Sequence, residues 1–235
     1  MRSLLTATGL FTVIPVRPFE VDRGAATRAM AALPWLALLL GLAAGALVWG
    51  LGTLASPLLG AIAGLALLAA VTGALHLDGV ADTADGLGSR KSREEALEIM
   101  RRSDIGPMGV VTLLFVLLLD VAALASTSSP LFGGAALAVA VMGSRLAVSI
   151  ATVSRRSART TGFGALFVGV TARSTAVVNA VLAVLVGLGL GWLTAGWTGA
   201  VALAVGGVVA ALVATWWGRR LVRRFGVGPV TRSGR

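Results

Sequence analysis

The sequence predicts an all-α fold, a polytopic transmembrane helical bundle, and three observations carry that prediction. Of 235 residues 57% are hydrophobic and 13% charged, with a mean hydropathy of +0.91, far from soluble globular usage. Apolar runs recur at the length of about 20 residues that a helix needs to cross the hydrocarbon core. Nearly all the lysine and arginine falls at the chain ends and in alternate connections between those runs. Inside lipid the backbone must bond to itself, so the runs are helices.

Taken in order, the first sixteen residues place Arg2 before a short apolar stretch that Pro15 breaks. With no small-residue cleavage pattern behind it, this reads as an interfacial or re-entrant segment and not a signal peptide. Six candidate spans follow, near Ala31–Leu51, Pro57–Leu75, Met108–Ala125, Leu131–Val153, Ala176–Leu193 and Gly199–Trp217. The chain, residues 1–235, is thus expected to form a single integral-membrane domain. Its 31 glycines suit membrane helices that approach closely. The absence of cysteine excludes disulfides, thiolate catalysis and cysteine-based metal sites.

Charge placement orients the bundle. The connections Gly52–Ser56, Ser126–Pro130 and Thr194–Thr198 carry none, whereas Arg2, Arg17, Arg23 and Arg28 precede the first span and Arg90, Lys91, Arg93, Arg101 and Arg102 lie in the second connection. Arg155, Arg156, Arg159 and Arg173 lie in the fourth, and Arg219, Arg220, Arg223, Arg224, Arg232 and Arg235 close the chain. By the positive-inside rule these face the cytoplasm, with both termini inside. The expected location is the cell (plasma) membrane, with the chemistry on the cytoplasmic side. The net charge of +10 follows from topology and anionic-lipid attraction, so it does not signal nucleic acid.

One connection breaks the basic trend. His76–Gly106 holds five basic and seven acidic residues and is read as a cytoplasmic acidic catalytic segment. Asp78, Asp82 and Asp85 stand at i, i+4 and i+7, within roughly a 60° arc of one helix face. Stacked like charges repel and are costly near lipid, so a cation is expected to offset them. Mg²⁺ or Mn²⁺ held by these three carboxylates, with sites left open for a pyrophosphate, is the reading adopted. The small residues Gly79, Ala81, Ala84 and Gly86 leave room for a large phosphorylated ligand or simply pack against another helix. His76, about 160° from the stripe on a helix, is expected to bind substrate or orient another group.

Further on, Ser92–Arg102 reads as an amphipathic helix with Ser92 as N-cap and Glu95 in the capping-box position. Arg102 is expected in a surface ion pair with Glu98, leaving Arg101 and Asp104 as substrate-binding candidates. Arg145 lies inside the fourth run, where a charge costs about 2.5–3.5 kcal/mol or more, so it is expected to face the bundle interior and bind phosphate. Snorkelling to the surface is the alternative. Asp120 in the third run is a possible partner for it. Thr160–Gly169, partly apolar and flanked by arginines, is expected to be a substrate-facing or an interfacial loop.

The string His76-Leu77-Asp78-Gly79-Val80-Ala81-Asp82-Thr83-Ala84-Asp85-Gly86, followed by Leu97–Arg101, Ile105-Gly106 and Gly109, resembles the cobalamin synthase family, the adenosylcobinamide-GDP ribazoletransferases. Phe11–Pro15, Ser144-Arg145 and Gly162–Gly169 extend the resemblance over most of the chain. It implies the final joining step of cobalamin biosynthesis. A hydroxyl of alpha-ribazole, or of its phosphate, attacks adenosylcobinamide-GDP with Mg²⁺ as cofactor, expels GMP and gives adenosylcobalamin or its phosphate. One of Asp82 and Asp85 would then act as base. Corrinoid-assembly enzymes at the membrane are implied partners. The family's usual order of charges around the serine after Met100 differs from Arg102-Ser103-Asp104 here, so no role carries over to those two charges by position.

Two other functions compete. A CDP-alcohol phosphotransferase also sets aspartates on membrane helices, but it expects arginine where Asp82 stands, after Ala81. A cation- or proton-coupled transporter would use Asp120 and Arg145 as its relay, yet the carboxylates cluster in a connection and no inverted repeat is evident. A membrane scaffold leaves the aspartate stripe unexplained.

The tail over residues 226–235 is expected to be frameshifted or truncated, because relatives by resemblance continue through Thr-Gly-Asp-x-Leu-Gly-Ala. Gly228–Arg235 can be encoded as GGA CCG GTG ACG CGC TCG GGG CGC, and omitting the first two nucleotides yields Thr-Gly-Asp-Ala-Leu-Gly-Ala. The gene's nucleotides across these codons are expected to carry that second frame; codons unable to produce it would end the idea.

Overall fold

A computed structural model describes residues 2–102, 104–153 and 163–225. Among these, all regular structure is helical: α1 (Arg2–Phe11), α2 (Arg23–Leu54), α3 (Pro57–Val71), α4 (Leu75–Gly88), α5 (Arg93–Ile99), α6 (Pro107–Ala125), α7 (Pro130–Ala151), α8 (Phe163–Phe167) and α9 (Arg173–Phe225). Helices α2, α6, α7 and α9 are each long and apolar enough to cross a membrane, and α3 with α4, bent by 90°, passes the same test as a broken pair. The residues Arg155, Arg156, Arg159, Arg232 and Arg235, the start of the Thr160–Gly169 loop, Ser103 and the tail expected to be frameshifted lie outside the described residues.

The six apolar runs map onto five of these helices. The second run ends at Val71, four residues short of the expected Leu75. The fifth and sixth share α9, whose helix breaks at Ala195 (φ −148°, ψ 21°) and Gly196 (φ 61°, ψ −148°). Beyond the break the chain doubles back. A Cβ placed on Gly191 would stand 2.6 Å from the Gly199 carbonyl oxygen, whereas eight residues of straight helix span about 12 Å. At ten residues α1 is about 15 Å long, too short to span. It lies on α2, burying Ala7 and Phe11 against Ala26, Ala29, Met30 and Leu33, which accords with an interfacial element.

Helix α2 is the hub. It packs on α1, α3 and α7, with a smaller contact to α9. Its approach to α7 needs two glycines facing each other: a Cβ on Gly45 would run into the Gly134 carbonyl, and one on Gly134 into the Gly45 carbonyl. Such contact replaces the hydrophobic drive that lipid removes between helices. Asp22 starts α2, accepting from the Ala25 N–H at 2.5 Å. Pro34 then interrupts its ladder. With no N–H of its own, Pro34 leaves the Met30 carbonyl without the usual i−4 donor, and the buried Ser149 of α7 donates its hydroxyl there at 2.9 Å. One residue on, Asn179 of α9 donates to the Ala31 carbonyl at 3.0 Å and accepts from Trp35 Nε1 at 3.1 Å. The proline thus marks the place where α7 and α9 are hydrogen-bonded to α2.

Charged connections gather at one end. The Val13 N–H bonds the Val71 carbonyl at 2.8 Å, Arg23 reaches the Val168 carbonyl at 3.3 Å, Phe11 and Phe167 rings lie 5.5 Å apart, and Arg224 donates to the Lys91 carbonyl. At the opposite, uncharged end Gly52 faces Pro130, 2.8 Å from a Cβ placed on the glycine. The described part of the Thr160–Gly169 loop is packed, with Phe167 buried and the Gly169 N–H bonded to the Thr152 carbonyl at 2.7 Å.

Ser149→Ala is expected to cost about 1–2 kcal/mol, the penalty of an orphaned buried carbonyl. Combined with Pro34→Ala, which returns a backbone donor to Met30, the same change is expected to cost less than half as much. Detergent-titration unfolding of the four proteins measures this, and equal costs in both backgrounds would refute the role given to Ser149.

Candidate active site at the charged end of the bundle

Where the apolar composition of α3 gives out, the backbone turns. Gly73 (φ 58°) and Ala74 (φ 56°) both adopt left-handed conformations, which cost alanine roughly 1–2 kcal/mol. The turn swings α4 away at 90°. The helix with three aspartates therefore does not continue the line of α3, and it packs on α6 and α5.

On α4 the three carboxylates have different surroundings. Asp78 is exposed and Asp82 half-buried. Asp85 accepts from the N–H of Gly106 at 2.7 Å and from the N–H of Gly109 at 2.8 Å, one bond to each oxygen. Among the described residues no group of three or more histidines, aspartates or glutamates is arranged to hold a metal ion. Asp78 and Asp82, one turn apart, are the remaining carboxylates of the stripe. Mg²⁺ is usually bound through one or two carboxylates together with water and substrate phosphates, so the donor chemistry of this pair fits it. Of the small residues around the stripe, Gly86 packs against Met100, 2.7 Å from a Cβ placed there to its Cγ, and Ala81 is buried, whereas Gly79 faces open space.

His76 and Arg145 come together, on the other side of α4. Both line a cleft whose floor is Leu33, Leu36, Ala37 and Leu40 of α2, with walls from Leu68 and Thr72, Val141 of α7, and Phe11 of α1. The Nδ1 atom of His76 is buried there without a hydrogen-bond partner. Lying beyond the end of α3, His76 has its imidazole pushed down to about 4 by burial and then by the Arg145 charge, so it is neutral at ordinary pH. Arg145 is half-buried and donates to its neighbour Ser144 Oγ at 2.7 Å. Arg145 lines the cleft. Its pairing with Asp120 is not found: Asp120 is exposed on α6, and among the described residues no ion pair joins them. His76 and Asp85, nine residues apart, point about 180° from each other on a helix, so the cleft and the carboxylate stripe occupy opposite faces of α4.

Helix α5 opens with the capping box expected at Ser92 and Glu95. Hydrogen bonds from the Ser92 hydroxyl and backbone, with Lys91 nearby, hold the Glu95 carboxyl below its usual value. The helix stops at Ile99, before the two arginines. Arg101 turns back to Glu98 at 3.0 Å, so it makes the surface pair expected of Arg102. Asp104 is exposed in the turn leading to α6. Two contributions escaped the sequence reading. Phe11 joins the cleft only because α1 folds onto α2. The Asp85 contact has a signal: Gly106-Pro107 opens α6 with no side chain able to cap it, which calls for an acceptor from elsewhere.

The cobalamin-5-phosphate synthase family model matches residues 3–228. The chain is 47% identical over 175 residues to a protein of Frankia casuarinae named adenosylcobinamide-GDP ribazoletransferase, covering 70% of this chain and 63% of that one. A protein of the same name from Bradyrhizobium diazoefficiens is 40% identical over 191 residues, covering 80% and 73%. Another from Geotalea daltonii is 34% identical over 226 residues, covering 94% and 87%. No solved structure matches. Since the family model takes in nearly the whole described bundle, with α4 and the cleft inside the match, the chain belongs to the cobalamin-5-phosphate synthase family.

Proposed function

We propose that the chain carries out the final joining step of cobalamin assembly, transferring the adenosylcobinamide phosphate moiety of adenosylcobinamide-GDP to alpha-ribazole or its phosphate and releasing GMP. The observation that carries this reading is the carboxylate pair Asp78 and Asp82 on a helix bent out of the bundle at its charged end, within a chain of this family. The proposed topology has six spans, counting the two halves of α9 separately, with both termini and α4 on the cytoplasmic side of the plasma membrane.

Asp78 and Asp82 would hold Mg²⁺. When bound, the ion neutralises pyrophosphate charge and stabilises the leaving GMP. Of the two base candidates, Asp82 and Asp85, we take Asp82, with Asp85 accepting a backbone N–H at each oxygen. A deprotonating Asp82 takes the proton of the attacking ribazole hydroxyl, whose oxygen forms the new bond to phosphorus as the bond to GMP breaks. The open space at Gly79 leaves the approach to this pair clear. Arg145 offers the guanidinium fork that matches phosphate oxygens, and neutral His76 offers a buried nitrogen with no protein partner. Arg101 and Asp104, exposed on the far side of α5 and before α6, are proposed to contact the donor substrate.

Reconstituted in lipid, the chain is expected to convert adenosylcobinamide-GDP and alpha-ribazole to adenosylcobalamin only with Mg²⁺, and Asp82→Ala to lower the rate about 100-fold or more. Product formation that ignores Mg²⁺ and survives the substitution, or no product from folded protein, would reject the assignment. Arg145→Lys keeps the charge but loses the fork, so with alpha-ribazole phosphate as acceptor its KM is expected to rise about tenfold with the Mg²⁺ requirement unmoved. An unchanged KM would place phosphate recognition elsewhere.

A further inference from the structure

We propose that Asp85 is a positioning residue, a clasp that locks the first turn of α6 onto α4 and thereby sets the direction in which Asp78 and Asp82 face. Every helix begins with N–H groups that have no partner inside it. In α6 the N-cap is Gly106, which has no side chain, the next residue is Pro107, which has no N–H, and the third helical residue is Gly109. A capping box would satisfy the N–H groups at the first and last of these positions with two local side chains. Here one carboxylate from 21 and 24 residues upstream does both, through Oδ2 at 2.7 Å and Oδ1 at 2.8 Å. Its negative charge also meets the positive end of the helix.

The two glycines are what allow the approach. A Cβ on Gly106 would stand 2.5 Å from Asp85 Oδ1, and one on Gly109 would stand 2.5 Å from Oδ2 and 3.1 Å from the Ala81 carbonyl. The cradle accepts a carboxylate only while both positions lack a side chain. Asp85 follows Asp82 by three residues and Asp78 by seven, so fixing it fixes the roll of α4 about its own axis. The same contact closes the connection that carries α5 back to the bundle. The consequence for catalysis rests on the reading of Asp78 and Asp82 as the metal-holding pair, whereas the clasp itself does not.

The test compares amide hydrogen exchange over residues 104–112 with Mn²⁺ binding followed by electron paramagnetic resonance, on the full chain in nanodiscs. Asp85→Asn, and Gly109→Ala separately, are expected to speed exchange there at least about tenfold, the loss of a charge-assisted hydrogen bond. Mn²⁺ affinity should stay within about threefold of the parent, because the ligand pair remains. Asp82→Asn should do the reverse, weakening Mn²⁺ binding at least about tenfold and leaving exchange over 104–112 alone. In the joining assay Asp85→Asn should lower kcat with the Mg²⁺ requirement unmoved. Unchanged exchange in Asp85→Asn, or loss of Mn²⁺ binding in that variant, would overturn the proposal. If the variant does not fold, the parent chain decides: a clasp leaves exchange over 104–112 the same with and without Mn²⁺, and a ligand released from Gly106 and Gly109 to reach the metal does not. A parent that binds no Mn²⁺ would remove the metal reading and leave the exchange comparison standing.

Discussion

The arrangement of the bundle depends on what happens at Pro34 of α2. A proline inside a membrane helix exposes a carbonyl that lipid cannot satisfy, so a neighbouring helix must supply the donor. Ser149 of α7 does so, and Asn179 of α9 bonds the adjacent carbonyl while accepting from Trp35. Three helices are thereby fixed in register at one level, the level at which α1 also packs. Above it, toward the uncharged end, α2 and α7 close to backbone contact at Gly45 and Gly134. Polar stitching at one level and glycine packing at another leave α7 little freedom to slide, and Arg145, one turn before Ser149, inherits that fixed position.

Because α2 holds both α3 and α7, the space between those two is a cleft floored by α2 side chains. Leu33, Leu36 and Leu40 line it, and its polar lining comes from His76 at the start of α4 and Arg145 of α7. The left-handed pair Gly73 and Ala74 is needed for the first of these. A helix continuing straight from α3 would take the aspartates in line with the bundle. The bend instead sends them out at the charged end, where solvation lowers the cost of three carboxylates.

Much of this was legible in the sequence for identifiable reasons. Hydropathy alone marks α2, α6 and α7, because a span must be continuously apolar. The capping box at Ser92 and Glu95 is local, so its residues announce it. The stripe follows from helical periodicity. What could not be read was tertiary. The end of α3 at Val71 is decided by a turn whose second residue is alanine, with no composition to mark it. Arg101 and Arg102 differ only in which of them reaches Glu98 once α5 stops at Ile99. Asp120 and Arg145 are both charges inside apolar runs, and only the fold shows one lining the cleft and the other exposed on α6. The stripe itself was read as three equivalent ligands, because periodicity reports a shared face and says nothing about what that face meets.

That inequivalence bears on what each face of α4 can meet. On α4, a helix about 10–12 Å across, Asp78 lies about 160° and Asp82 about 120° round from His76. Under the proposed function, the two faces would suit two reactants meeting at an edge of the helix. Such an arrangement works only if α4 cannot roll, since a rotation that improves access on one face worsens it on the other. Asp85 holds α4 to α6 at a point facing away from His76, and the Val13 contact with the end of α3 steadies the other approach. The demand for a helix usable on both faces thus accounts for an acidic residue spent on backbone amides in the most acidic part of the chain.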